Sequence, residues 1–181
     1  TINVSFQANT SSQSRSATLT ITGCSISRTV NITQAGTTST IPWVRSITGS
    51  NHIIIVQSSL TTTFDGTPLE PGDAIGFFFE HDGALHCSNY LVLTGQNQSV
   101  AVYGNDAAAP GKNGFNSGEI FSVKIYRAAT QQEYDAQVSF APVGTVIPPL
   151  TISHTNAYTA NGISLLTNVN AITASTFRIH L

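Results

Sequence analysis

Charged residues are scarce in this 181-residue sequence, since Lys, Arg, Asp and Glu together make up 9% of it, against roughly 25% in typical soluble domains. The polar surface must therefore consist of Thr, Ser, Asn and Gln, which is typical of extracellular proteins. The net charge of −2 indicates neither a nucleic-acid-binding face nor an acidic tail. Every acid lies between Asp65 and Asp135, and only Arg15, Arg28 and Arg45 represent Lys and Arg before them. Such asymmetry either orients head-to-tail contacts between copies or is drift in a weakly charged chain.

Long apolar runs are also missing. A membrane-spanning helix needs about 18 or more consecutive apolar residues, and no such run occurs, so we expect no membrane insertion. No signal peptide is recognisable, and the start at Thr1 suggests a processed or truncated product. The hydrophobic fraction of 40% is nevertheless sufficient for a buried core in one or two small domains.

Cysteine is limited to Cys24 and Cys87. These two residues either form one disulfide or are separate buried thiols, and spacing alone leaves both alternatives open. A zinc site would need more ligands than two cysteines and five dispersed histidines provide. We therefore expect each histidine to be a surface or packing residue: His52, His81, His86, His154 and His180.

A period of two dominates the hydrophobic pattern and predicts strands. Alternation at residues 1–8, 16–22 and 28–34 predicts half-buried antiparallel strands. The denser apolar runs at 52–57 and 74–80 predict central strands that are covered on both faces. Further strands are predicted at 89–95, 99–104, 119–128 and 133–141. Gly, Asp, Asn and Pro turns separate these segments, and no helix longer than about 10 residues is expected, so the sequence predicts an all-β sandwich.

The N-terminal strands resemble part of a known module. Residues 15–23, "RSATLTITG", and 28–36, "RTVNITQAG", are similar to the C-terminal strands of BACON domains, the Ig-like modules of secreted Bacteroidetes proteins. The resemblance implies a partial Ig-like sheet over residues 1–37, because the N-terminal strands of a complete module are lacking.

Residues 38–175 resemble a β-module that is repeated in large surface proteins of the same bacteria. Its "G-D-x-I-G-x-F" strand is matched by residues 72–78, and its "D-G-F-x-x-G-E" hairpin is largely matched by residues 114–119. Leu93 stands where the family often has Trp, Asn89 replaces a glycine, and "YGND" replaces "WGDD". The resemblance implies an Ig-like or jelly-roll-like antiparallel β-sandwich outside the cell or at its surface.

Catalytic motifs are absent from the sequence. There is no G-x-S-x-G elbow and no phosphate-binding loop, so an enzyme is not expected, and no cofactor other than calcium is indicated. Calcium needs six to eight oxygen ligands, for which the loop carboxylates are candidates: Asp73, Asp82, Asp106 and Glu119. No D-x-D-x-D-G spacing supports such a site. A second candidate site is a glycan-stacking surface, although the same aromatic residues could instead pack in the core: Trp43, Tyr90, Tyr103 and Tyr158.

The three predicted N-terminal strands would form a sheet with one apolar face. This face must be covered, because an exposed apolar sheet aggregates. Either the following module packs on this face, or a strand from another copy completes the sheet by strand addition. The C-terminal segment 176–181 alternates in the same way and is a candidate strand. The assembly residues are then Ile2, Val4 and Phe6 at one end and Phe177, Ile179 and Leu181 at the other. Strands at both ends suit a head-to-tail homopolymer, that is, a surface or filament subunit; the alternative is a carbohydrate-binding or adhesive module.

Overall fold

The computed structural model describes residues 5–7, 9, 14–23, 25–36 and 40–173. Across these residues the structure contains strands and no helix, which confirms the predicted all-β class. The strands are β1 Arg15–Gly23, β2 Ile26–Gln34, β3 Asn51–Phe64, β4 Ala74–His81, β5 Ala84–Val92, β6 Gln98–Tyr103, β7 Ser122–Arg127, β8 Gln132–Phe140, β9 Val146–Ile147, β10 Leu150–Thr151 and β11 Ile163–Ala171.

Seven strands form one large sheet in the order β5-β4-β7-β8-β11-β3-β6. All pairs in this sheet are antiparallel except β3 and β11, which run parallel. The sheet is therefore mixed, whereas the sequence predicts antiparallel pairing throughout. Alternation alone could not reveal the parallel pair, because it shows which residues share a face but not the direction of the neighbouring strand.

The large sheet encloses one hydrophobic core, to which each of its seven strands contributes side chains. Fully buried residues at its centre are Ile54, Ile75, Phe77, Ile125 and Val169. Because residues from opposite ends of the strand order meet in the same cluster, the sheet folds over on itself into a sandwich-like unit.

The two edge strands of the large sheet, β5 and β6, lie beside each other and are joined by side-chain hydrogen bonds. We call this contact the seam. A β-bulge in β5 places Ser88 between the pairs Phe77–Asn89 and Phe78–Cys87, and the Ser88 side chain is buried. Ser88 Oγ accepts a hydrogen bond from the Tyr103 backbone N–H at 2.6 Å. Asn89 Nδ2 donates to the Ala101 carbonyl at 2.8 Å. The bulge thus turns β5 so that polar side chains replace a backbone ladder along this seam.

Residues 40–50, which we call the strap, cover the outer face of β4, β5 and β7. The Trp43 ring packs edge-on against Phe78 and Tyr126, and its indole N–H donates to Glu133 Oε2 at 2.7 Å. A Cβ at Gly76 would lie 2.7 Å from the Trp43 ring, so glycine is needed there for the indole to approach. With the core on one side and the strap on the other, β4 is buried on both faces from Ala74 to Phe79, as its dense apolar run predicts.

Strands β1 and β2 form a separate two-stranded antiparallel sheet. The sequence predicts half-buried strands here. The strands are confirmed, but they are more exposed than predicted, because among the described residues only Phe6 and its neighbours lie against one face, at its open end. A strand is also predicted at residues 1–8, but the described residues 5–7 belong to no strand. The predicted strand at 176–181 lies outside the described residues, and the domain boundaries at 37 and 175 stay predictions.

Candidate functional site

The β1–β2 hairpin separates most of its side chains by face. The register pairs Ala17 with Ile32, Leu19 with Val30, Ile21 with Arg28 and Gly23 with Ile26, so these residues lie on one face, which we call the apolar face. Arg28 is the one charged residue within this face, and the pair Arg15 and Gln34 lies at its open end. The opposite face, which we call the hydroxyl face, carries Ser16, Thr18, Thr20, Thr22, Ser27, Thr29, Asn31 and Thr33. Alternation at a period of two produces this separation.

The apolar face is open to solvent. Ile26 is 60% exposed and Val30 is 48% exposed, and no residue of either strand is buried. Within the part of the chain that the structure describes, each strand pairs only with the other, and at the open end Asn9 Nδ2 donates to the Gln34 carbonyl at 3.4 Å. Such a hairpin is marginally stable by itself in water, and it is a template for a further strand.

Hydrogen bonds hold residues 5–7 at the open end of the hairpin. The Gln7 carbonyl accepts from Arg15 Nη2 at 2.6 Å and from Gln34 Nε2 at 3.2 Å. Phe6 thereby lines a groove together with Ala17 and Ile32, although its ring is still 56% exposed. Phe6 is one of the six residues predicted to mediate assembly, and it lies on the apolar face. The other five lie outside the described residues: Ile2, Val4, Phe177, Ile179 and Leu181.

The structure does not gather the four carboxylates that the sequence offers as calcium ligands. Asp73 is buried, and its Oδ2 lies 2.9 Å from Arg127 Nη1 in an ion pair, although this N–H is not aligned as a hydrogen bond. Backbone N–H groups of Glu70 and Ala128 also donate to Asp73, each at 2.9 Å. A carboxylate engaged by a cation and two N–H groups is a structural anchor for the turn before β4.

Glu119 is likewise held by a cation and by two backbone N–H groups. Its Oε2 lies 2.7 Å from Lys112 Nζ, and the backbone N–H groups of Asn116 and Glu80 donate to its two oxygens. Burial raises the pKa of Glu119, but these hydrogen bonds outweigh burial and hold it below its ordinary value.

The remaining two candidates, Asp82 and Asp106, lie in exposed turns. Over the described ranges, no three His, Cys, Asp or Glu side chains come close enough to hold a metal ion. The structure therefore does not bring these four carboxylates together as a calcium site, and internal cations engage Asp73 and Glu119.

Two of the four aromatic glycan candidates are core residues. Trp43 and Tyr158 are buried, and Tyr158 stacks on Phe115 with ring centroids 5.7 Å apart. Tyr90 is half-buried, and the Arg45 guanidinium lies 4.1 Å above its ring centroid, which occupies the ring face that a sugar would need. Tyr103 is left half-buried without an aromatic neighbour. The sequence could not separate exposed from buried rings, because core packing and ligand stacking use the same residue types.

A buried Ser–His contact is a feature that sequence reasoning missed. His52 Nε2 lies 2.8 Å from Ser164 Oγ, and both residues are fully buried. Ser164 donates its hydroxyl proton to the Thr155 carbonyl at 2.5 Å, so His52 donates to the serine and does not activate it. Burial lowers the pKa of His52 to about 4. The pair therefore satisfies two buried polar groups in a closed site.

Cys87 is a free, buried thiol, so it does not form the disulfide that the sequence allows. Burial raises its pKa to about 12, although Arg45 acts in the opposite direction. The protonated thiol is unreactive at neutral pH. Its partner in the alternative disulfide, Cys24, lies outside the described residues.

Comparisons with protein-family models, curated proteins and solved structures gave no match for this chain. Among the residues that the structure describes, no helix is long and apolar enough to cross a lipid bilayer.

Proposed function

We propose that this chain is an extracellular, non-enzymatic structural subunit that assembles with other copies of itself by β-strand addition. The observation that carries this proposal is the hairpin β1–β2, whose apolar face is largely exposed and whose two strands, among the described residues, pair only with each other. The resemblance of its strands to BACON modules, and the scarcity of charge, support a location outside the cell or at its surface.

The edges of the large sheet are less suitable for strand addition than the edges of the hairpin. Its edge strands, β5 and β6, face each other and are joined by side chains of Ser88 and Asn89. Closing the edges of a sheet is how folded proteins avoid pairing with other chains. The edges of the hairpin are therefore the sites where a further strand gains most from backbone pairing.

The incoming strand in this proposal is the C-terminal segment 176–181 of the next copy. Phe177, Ile179 and Leu181 alternate with polar residues, so one face of an added strand would be apolar and could continue the apolar face of the hairpin. The charge asymmetry also favours a second copy: the hairpin carries Arg15 and Arg28 without an acid, whereas all acids lie between Asp65 and Asp135. Contacts between unlike ends are heterologous, and such contacts can continue into a fibre.

The energetics favour strand addition over a simple face-to-face contact. Covering the exposed parts of Ile21, Ile26 and Val30 would contribute roughly 1 kcal/mol each, whereas association costs about 4–15 kcal/mol. The apolar face alone is therefore insufficient. Each added backbone hydrogen bond contributes about 0.5–1.5 kcal/mol, so a strand of several residues supplies the missing part.

The alternative of a glycan-binding module that uses exposed aromatic rings is disfavoured. Trp43 and Tyr158 are buried, and Arg45 covers the Tyr90 ring. A stacking platform needs an accessible ring face, and none of these three rings provides one.

The proposal is tested by measuring the mass of the full chain in solution by light scattering over a range of concentrations. We expect species heavier than the 19.1 kDa monomer. Val30→Lys places a charge on the apolar face and should return the protein to a monomer. Deleting residues 174–181 should do the same, because it removes the incoming strand.

Thr29→Lys is the matched control. Thr29 is the neighbouring exposed residue of β2 and lies on the hydroxyl face, so the same charge there should leave the assembly intact. A wild-type chain that is monomeric at every concentration refutes the proposal. Assembly that survives Val30→Lys and the C-terminal deletion shows that copies associate through another surface.

A further inference from the structure

The outer face of β8, β11 and β3 carries a cluster of amides and hydroxyls. Side chains that point inward from these strands pack in the core, among them Val138, Val169 and Leu60. The side chains that alternate with them point outward and are amides or hydroxyls over the central part of the face, whereas the acids Glu133 and Asp135 occupy the first outward positions of β8. We call this surface the amide face; it consists of Thr61, Thr63, Gln137, Ser139, Asn168 and Asn170.

The strand register arranges the amide face in two rows. One row is Ser139, Asn168 and Thr61, and the other is Gln137, Asn170 and Thr63. Neighbouring strands lie about 4.8 Å apart, and the two rows are separated by about 6.6 Å, twice the rise per residue. Polar groups therefore repeat in two directions across three strands.

Irregular pairing gives this face a shallow depression. Both neighbours of β11 change register between Leu166 and Asn168, and on the β3 side the partners move from Val56 to Thr61. Bulges of this kind bend a strand and redirect its side chains, and they are frequent beside binding sites. The depression lies next to them and is lined by most members of the amide face.

Most hydrogen-bonding groups of the amide face have no protein partner. The one side-chain hydrogen bond within it joins Thr63 Oγ1, the donor, to Asn170 Oδ1 at 2.6 Å. Gln137 and Asn168 each keep a free carboxamide, which offers two N–H donors and a carbonyl acceptor. The face thus presents donors and acceptors together, as a ligand with many hydroxyl groups requires.

No Lys, Arg, Asp or Glu occurs between residues 46 and 64 or between residues 136 and 177, so the acids at the edge of this face are Asp65 and Asp135. Asp65 accepts hydrogen bonds from the backbone N–H and the hydroxyl of Thr173. The adjacent acid on β8, Asp135, has Lys124 at 3.3 Å as an ion-pair partner. A charged ligand would lose hydration on this face without gaining a counter-charge, which is unfavourable. A neutral ligand would exchange its hydrogen bonds to water for hydrogen bonds to amides at little electrostatic cost.

We propose that the amide face binds a neutral, hydroxyl-rich glycan. The binding would use hydrogen bonds from two rows of amides and hydroxyls, without the aromatic stacking that the sequence suggests. This activity is separate from assembly, because it uses β3, β8 and β11 and not the β1–β2 hairpin. It would allow a surface subunit to hold polysaccharide along its length.

The test is affinity electrophoresis of the full chain in native gels that contain dextran, mannan, xylan or galactan, with the polyanion alginate as a comparison. We expect at least one neutral polysaccharide to retard the protein and alginate to have no effect. Asn168→Asp combined with Asn170→Asp keeps the side-chain shape but introduces charge and removes amide donors. This double variant should weaken retardation by at least about tenfold, while its thermal unfolding confirms that it is folded.

Asn31→Asp is the matched control, since Asn31 is an exposed amide on the hydroxyl face of β2, and it should leave retardation unchanged. The same gels with Val30→Lys separate glycan binding from assembly, because that variant should be monomeric and should still bind. Absence of retardation by every neutral polysaccharide overturns the proposal. Retardation by alginate alone, or retardation that the double variant leaves intact, overturns it equally.

Discussion

The hairpins β1–β2 and β4–β5 are the same motif in two very different environments. Both are antiparallel pairs of strands that are neighbours in the chain, although β1 and β2 alternate apolar and polar residues and β4 is a continuous apolar run. In β4 every residue from Ala74 to Phe79 is buried, whereas in β1 and β2 no residue is buried. The comparison shows that alternation specifies which residues share a face, but that burial depends on whether another part of a chain covers that face.

The difference follows from what lies on either side of each hairpin. On β4 the inward face is covered by the core and the outward face by Trp43 of the strap. On β1 and β2, threonines and serines on one face remain hydrated, and the apolar face is covered within the described residues only at its open end, by Phe6. A surface of this kind is characteristic of an interaction site and not of a finished core.

The largest expected difference between the two hairpins is in the free energy of unfolding. Phe77→Ala on β4 should lower it by about 3–5 kcal/mol, because the ring is fully buried and its removal leaves a cavity. Leu19→Ala on β1 should lower it by less than about 1 kcal/mol, because the side chain is only partly buried. Urea unfolding of both variants as monomers measures the contrast. Equal losses would mean that the hairpin is part of the same cooperative core.

Acidification should affect the large sheet through His52. The unfolded chain protonates this residue near pH 6.5 and the folded chain only near pH 4, so between these values the unfolded state binds more protons and stability falls with decreasing pH. The loss should reach about 3 kcal/mol by pH 4. Urea unfolding at a series of pH values measures this slope.

The informative part of that profile is between pH 6.5 and 5, above the range in which Glu119 and Glu133 lose their hydrogen-bonded charge. His52→Gln should remove the slope there whatever its effect on absolute stability. An unchanged slope in this variant would assign the effect to other groups.

Among the changes to the large sheet, the smallest expected effect on the free energy of unfolding concerns the strap, which packs on the outer face of β4. Gly76→Ala places a methyl group against Trp43, and overpacking of this kind costs about 1–3 kcal/mol. We expect the indole to move away from β4, with a red shift in tryptophan fluorescence, which reports Trp43 alone because the chain has one tryptophan. Gly49→Ala is the matched control, because a Cβ at Gly49 meets nothing within 4 Å. A normal spectrum in Gly76→Ala would show that the strap tolerates the added volume.

Much of the fold could be predicted from sequence, and the candidate sites could not. The dense run at residues 74–80 correctly indicates a strand covered on both sides, and β6, β7 and β8 lie where alternation predicts strands. The structural partners of Asp73, Glu119 and Trp43, which are Arg127, Lys112 and Glu133, could not be predicted, because other elements supply them. The amide face was missed for a related reason. Its residues belong to three strands that are distant in sequence, and only the register brings them into rows.

The sequence by itself determined the all-β class, the positions of most strands and the two-faced character of the hairpin, because a period of two is a local property of the backbone. The tertiary structure decided the parallel pairing of β3 with β11, the closed seam between β5 and β6, and which apolar faces are covered. These features depend on contacts between residues far apart in the chain, and the pattern within one strand carries no information about its distant neighbours.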